Sequence, residues 1–160
     1  MAKTVEVYTS RFILPEETIQ LLKTDKLSVK YLKQEETLEI CWEGDVTSDE
    51  FKYGYTQIIE HVKAFKPVKW QLNVQNRQSL RRADQRWVFE YVFPEVLKIV
   101  NDDVFVAVVV PVSSIYNLVG ELDGDELMTG ENFLIMQHFM YPEEAQRWLN
   151  EMCLIKYGVN

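Results

Sequence analysis

Cysteine, histidine and glycine are scarce in this chain, and each scarcity removes a kind of chemistry. The two cysteines, Cys41 and Cys153, form no CxxC pair and have no histidine nearby, so neither a disulfide framework nor a zinc site is expected. Cys41 lies in an apolar stretch where a thiol acts as a small hydrophobe, and both are expected to be buried free thiols. The two histidines, His61 and His138, fall on a predicted helix and a predicted strand without ligand spacing, and no metal is expected. The six glycines build no GxGxxG or Walker-type loop, and GxSxG and HExxH are absent as well. The Rossmann, phosphoryl-transfer, serine-nucleophile and zinc-protease readings lose their anchors, and no cofactor is expected. Asp123-Gly124-Asp125-Glu126 has the acidity of a calcium loop, but Leu127 offers no oxygen ligand and the glycine that should follow is missing. That stretch reads as a solvated acidic loop.

Long apolar runs are missing too. The most continuous one, Val104 to Val112, is interrupted by Pro111 and falls short of the roughly 18 residues of a membrane helix. Met1 to Glu6 has no apolar core of secretory type, so the expectation is a cytoplasmic protein without membrane insertion. Seventeen basic residues against twenty-five acidic ones leave a formal charge of -8, which makes a phosphate-backbone partner unfavourable. No nucleic acid is expected.

What is present is enough apolar material for a core: 160 residues, 47% of them hydrophobic and 12% aromatic, fit one domain. Residues 1–25 carry the weakest pattern and read as an extension packed on that domain, with one or two helical turns from Pro15 to Leu22. Residues 26–155 carry the domain proper. Leu27, Val29 and Tyr31, then Leu38, Ile40 and Trp42, alternate with polar residues on either side of Gln34-Glu35-Glu36, the pattern of a β-hairpin with one buried face. Thr47 with Glu50 three residues on is a capping box, and Phe51, Tyr55, Ile58, Ile59, Val62 and Phe65 continue at helical spacing until Pro67.

Lys69 to Gln75 then reads as a strand with Trp70, Leu72 and Val74 on its core face, and Asn76 to Arg82 as a turn. An aromatic helix from Asp84 to Val100 follows, interrupted at Phe93-Pro94 by a kink or by the meeting of two helices. Val104 to Val110 is apolar on both faces and predicts a central strand paired in parallel with Lys69 to Val74. Ser113 or Ser114 caps a short helix ending near Gly120, Glu121 to Glu131 is a loop, and Phe133 to Met140 is the last strand. Pro142 opens the last helix, whose buried stripe is Ala145, Trp148, Leu149 and Met152. Alternation of this kind predicts an α/β fold with a mixed, mostly parallel sheet and helices packed on it.

Local cues within Lys26 to Glu151 resemble the SpoIIAA-like, STAS-type domains. They are Trp42-Glu43-Gly44 with Val46-Thr47-Ser48, Lys69-Trp70, Asp84-Gln85-Arg86-Trp87, Phe93-Pro94, and Glu144-Ala145-Gln146-Arg147-Trp148-Leu149. The resemblance implies a non-enzymatic binding or regulatory module that works through protein contacts. In the regulatory branch a Ser beside an Asp, after the strand that Lys69 opens here, is phosphorylated. Asn73 stands in the place of the Asp and is followed by Val74, Asn76 is followed by Arg77, and the one hydroxyl nearby is Ser79, so the phosphoswitch does not carry over.

Two features remain for function. Arg77, Arg81, Arg82 and Arg86, with Asn73, Asn76 and Ser79, form a basic surface expected to meet an acidic partner or an anion at a helix start. Trp87, Phe89, Tyr91 and Phe93 cover more of a helix than one core face needs and predict an interface, most simply of a symmetric homodimer. The rival reading is a small-molecule carrier for an anionic or lipid-like ligand, or an enzyme, with a pocket against Gln71, Asn73 and Gln75.

Overall fold

The computed structural model describes residues 17–78, 81–114 and 126–158. Strands Leu27–Leu32 (β2) and Thr37–Gly44 (β3) form the expected antiparallel hairpin, with Leu27 opposite Trp42 and Val29 opposite Ile40. Ahead of them Thr18–Lys23 (β1) is itself a strand, antiparallel to β2, and not the helical turns that Pro15 to Leu22 suggest. A register shift between Gln20 and Leu22 explains the misreading: Leu21 and Leu22 both pack on the core, which breaks the alternation by which a strand is recognised.

Helix Ser48–Phe65 (α1) begins at the predicted capping box. Thr47 Oγ1 accepts from the Glu50 amide at 3.1 Å, and Glu50 Oε1 accepts from the Thr47 amide at 2.9 Å. Such a cap is worth about 1 kcal/mol. The buried side of α1 is Phe51, Gly54, Tyr55, Ile58 and Val62, and Lys66 in the left-handed conformation ends it ahead of Pro67. Lys69–Arg77 (β4) and Val104–Val109 (β5) pair in parallel, β4 also pairs in parallel with β3, and every residue of β5 is buried, as expected of a central strand.

Between β4 and β5 the chain runs as Arg82–Trp87 (α2), a π turn Val88–Val92, and Phe93–Val100 (α3). Pro94 has no N–H to continue the α pattern, and the preceding turn opens so that the Phe93 amide meets the Val88 carbonyl. Glu126–Thr129 (β6) is a strand antiparallel to Asn132–Phe139 (β7), where the sequence suggests only an acidic loop; it is short and lies at the sheet edge. Val112–Ser114 forms a single 3-10 turn, and the rest of the short helix predicted there lies outside the described residues.

Among the described residues seven strands lie in the order β1-β2-β3-β4-β5-β7-β6, with β3, β4, β5 and β7 parallel. Helix α1 and the α2 to α3 stretch cover one face, over Leu38, Ile40, Trp70, Leu72, Val106 and Leu134. Pro142–Tyr157 (α4) covers the other, placing buried Ala145 and Leu149 against Phe105, Ala107 and Val109 with Trp148 and Met152 half-buried beside them. Cys41 and Cys153 are free and half-buried, less enclosed than expected. Among the described residues no helix is long and apolar enough to cross a membrane.

Candidate functional site

The outward-looking polar side of β4 is occupied. Gln71 donates to Gln146 Oε1 at 3.4 Å, Lys69 to Asn150 Oδ1 at 3.1 Å, and Gln75 to the Met140 carbonyl at 2.9 Å, so α4 and its approach cover the place where the rival reading puts a pocket. Space opens on the opposite face of the same strand. A cavity of about 70 Å³ has its floor at Leu72, Val74, Val108, Val110, Met136 and His138, near the carboxyl ends of the parallel strands β4, β5 and β7. Ligand crevices of open α/β sheets lie at that end of the strands. Its walls are Trp42 of β3, Phe51 and Tyr55 of α1, and Gln85, Val88, Phe89 and Phe93 of the following helical stretch.

Arg77 lines this cavity as well, and a bulge puts it there. From Cys41 opposite Asn73 to Glu43 opposite Asn76, β4 spends three steps where β3 spends two. The extra residue reverses the alternation, so Arg77 comes round to the face of Trp70, Leu72 and Val74. Asn73 serves the bulge: its Oδ1 accepts from the Gln75 amide at 2.9 Å, a backbone donor within the shifted segment.

Turned inward, Arg77 is held by Asp84 and Phe51. Its Nη2 lies 3.2 Å from Asp84 Oδ2, the two side chains being 1% and 3% exposed, and its guanidinium sits 4.6 Å from the centre of the Phe51 ring. Asp84 is further fixed by Ser48 Oγ at 2.8 Å and faces Arg81 Nη1 at 3.6 Å. Burial pulls the Arg77 guanidinium below its ordinary value, and Asp84 works in the other direction. Phe51 lies 5.1 Å from the Trp42 ring and 5.0 Å from Tyr55, and Trp87 meets both Phe51 and Tyr55 edge-on. Burial drives the Tyr55 phenol well above its ordinary value, so it stays protonated.

The basic surface is thereby divided. Asn76 and Arg77 belong to β4, and the helix opens at Arg82, not beside Asn76. Arg81 donates to the Val46 carbonyl and approaches Asp45 at 3.9 Å, Asn76, Arg82 and Arg86 are exposed, and Ser79 lies outside the described residues. Arg77 thus stands apart from its neighbours, in the lining of the cavity instead of on the surface. The aromatic set divides in the same way: Phe93 is 1% exposed in the core, Trp87 and Phe89 are half-buried against it, and Tyr91 is 66% exposed. The surplus apolar circumference goes largely into the cavity wall and the core.

Sequence reasoning missed Trp42, Tyr55, Phe51 and His138 as one site, because they come from three distant elements. The one local signal was Arg77 with Asp84 seven residues on, a pair that only a reversal of strand phase brings indoors. Among the described residues no three His, Cys, Asp or Glu side chains form a group able to hold a metal ion. No family model, curated protein or solved structure matches the chain.

Proposed function

We propose that this chain is a binding module of the SpoIIAA-like, STAS type whose ligand is a small, largely apolar molecule held in the cavity between β4, β5, β7 and the helices. The observation that carries this reading is the cavity itself, an apolar enclosure with a few inward polar groups at the carboxyl ends of parallel strands. The mixed sheet with its helices on both faces is compatible with such a domain. The regulatory role through contact with an acidic protein partner, the main expectation from the sequence, is kept as a second reading, supported by the exposure of Arg82, Arg86 and Tyr91 along one helical stretch that also walls the cavity.

Filling the cavity from its floor separates the two. Val108 is 7% exposed and lines the space, and Val108→Leu and Val108→Phe replace void with side chain. Binding of a small apolar probe such as xenon is expected to weaken in that order, with melting temperatures close to the parent protein. Probe binding unchanged in a folded Val108→Phe variant removes the cavity as the site and leaves the partner reading.

A further inference from the structure

Of the fourteen described residues that line the cavity, eleven are buried, and only Gln85, Phe89 and His138 keep part of their surface in contact with solvent. Gln85 and Phe89 are four residues apart on one helical stretch and so stand about a turn from each other. His138 lies on β7, in register with Val108 of the floor. The mouth is therefore between that helical stretch and β7. Toward Trp42 the cavity is sealed. A surface groove against Thr24, Lys26, Tyr53 and Gly54 reaches the indole from outside, but Trp42 is 2% exposed and packs so closely on Gly54 that a Cβ there would fall 2.5 Å from its Cη2.

We propose that Phe89 is the size-selecting residue of this cavity, its ring closing the mouth between Gln85 and His138 and swinging outward to admit a ligand. The inference rests on the small-molecule reading of the cavity and adds the residue that decides which molecules enter. Among the rings of the wall, Trp42, Phe51, Tyr55 and Phe93 are between 1% and 4% exposed, whereas Phe89 is half-buried and meets Phe93 edge-on at 6.2 Å. Exposed side chains change rotamer within nanoseconds, while close-packed interior ones are held by their neighbours. Phe89 is the ring with room to turn. It is also the second residue of the π turn, a feature that concentrates at functional sites. With the ring in place the cavity measures about 70 Å³, well below the roughly 150 Å³ that houses benzene. The closed form is therefore limited to xenon or an apolar molecule of a few heavy atoms.

The test measures xenon affinity and association rate separately by xenon NMR, and benzene binding by titration, on the parent protein, Phe89→Ala, Phe89→Leu and Val88→Ala. Val88 lines the same cavity but is buried, so its truncation enlarges the space without opening the mouth. Phe89→Ala is expected to take up xenon about tenfold faster than the parent, whose ring must give up about half the apolar cover of a buried Phe each time it opens. Phe89→Leu should fall between the two, and Val88→Ala should keep the parent's association rate whatever its affinity. Benzene is expected to bind Phe89→Ala, whose missing ring it replaces, and not the parent. An association rate in Phe89→Ala within about twofold of the parent's, or one that rises equally in Val88→Ala, overturns the gate. Benzene binding to the parent overturns the size limit. The Phe89 position is half-buried, and Phe89→Leu carries the same comparison if the alanine variant fails to fold. Xenon that does not bind the parent removes the small-molecule reading itself.

Discussion

Removing the carboxylate of Asp84 tests whether the inward turn of Arg77 is held by its ion pair. Asp84→Ala leaves the Arg77 guanidinium enclosed with no anion closer than the surface, and leaves Ser48 Oγ without the acceptor it meets at 2.8 Å. Breaking one side of a buried pair costs about 3–5 kcal/mol, because the surviving charge keeps its desolvation penalty and loses its compensation. For a chain of this size each kcal/mol moves the melting temperature by about 2–4 °C, so a fall of about 10 °C is expected. Asp84→Asn keeps an acceptor for Ser48 and a neutral oxygen for Arg77, and should lose roughly half as much. The double change Arg77→Met with Asp84→Leu removes both charges and both desolvation costs, and should melt near the parent protein. Thermal melts by circular dichroism at neutral pH, supported by urea midpoints, read all four proteins. An Asp84→Ala melting temperature within about 2 °C of the parent, or a double variant no better than the single, would refute the reasoning.

Two further perturbations follow from the same neighbourhood. Gly54→Ala should destabilise by about 1 kcal/mol despite better helix propensity, because its Cβ would fall 2.5 Å from Trp42 Cη2 and 3.0 Å from Leu27 Cδ2; overpacking of this kind costs about 1–3 kcal/mol. A urea midpoint at or above the parent's would show that the indole gives way freely. Tyr55 is raised in the folded state above its ordinary value of 10.0, so its stability contribution is intact below that pH and is lost above it, as the unfolded chain releases the proton first. Melting temperature should therefore fall with rising pH, the Tyr55 part from about pH 10 upward and missing in Tyr55→Phe, with Tyr31, Tyr157, Cys41, Cys153 and Lys156, also raised, carrying the remaining slope. Parallel curves for the two proteins would count against a buried phenol.

The hairpin, the capping box and the central strand were legible because each is a short-range pattern with its own period: alternation in Leu27 to Trp42, Thr47 with Glu50, and unbroken apolarity through Val104 to Val110. The edges were not. Strand β1 hides behind adjacent Leu21 and Leu22, and β6 is four residues beside an acidic stretch, so neither shows a clean period of two. The arginine cluster was visible as composition, but its division was not. Counting by twos from Trp70 sends Arg77 to the side of Gln71 and Asn73, and only the inserted residue of the bulge brings it to the helix side.

The π turn at Val88–Val92 sets one stretch of chain to work as two cams on a single shaft. Buried positions run Asp84, Val88, Val92 and then Phe93, Val96, Leu97, Val100, and the step of one between Val92 and Phe93 is the slip between them. Each residue of an α-helix advances the direction of its side chain by about 100°, so the extra residue resets the second cam by that angle against the first. The first cam aims Val88 and Phe89 at the cavity, and the second seats Val96, Leu97 and Val100 in the core. Losing any one residue between Val88 and Val92 would keep nearly the whole composition of the segment and still rotate one cam out of mesh. What must be preserved between Asp84 and Val100 is therefore a residue count.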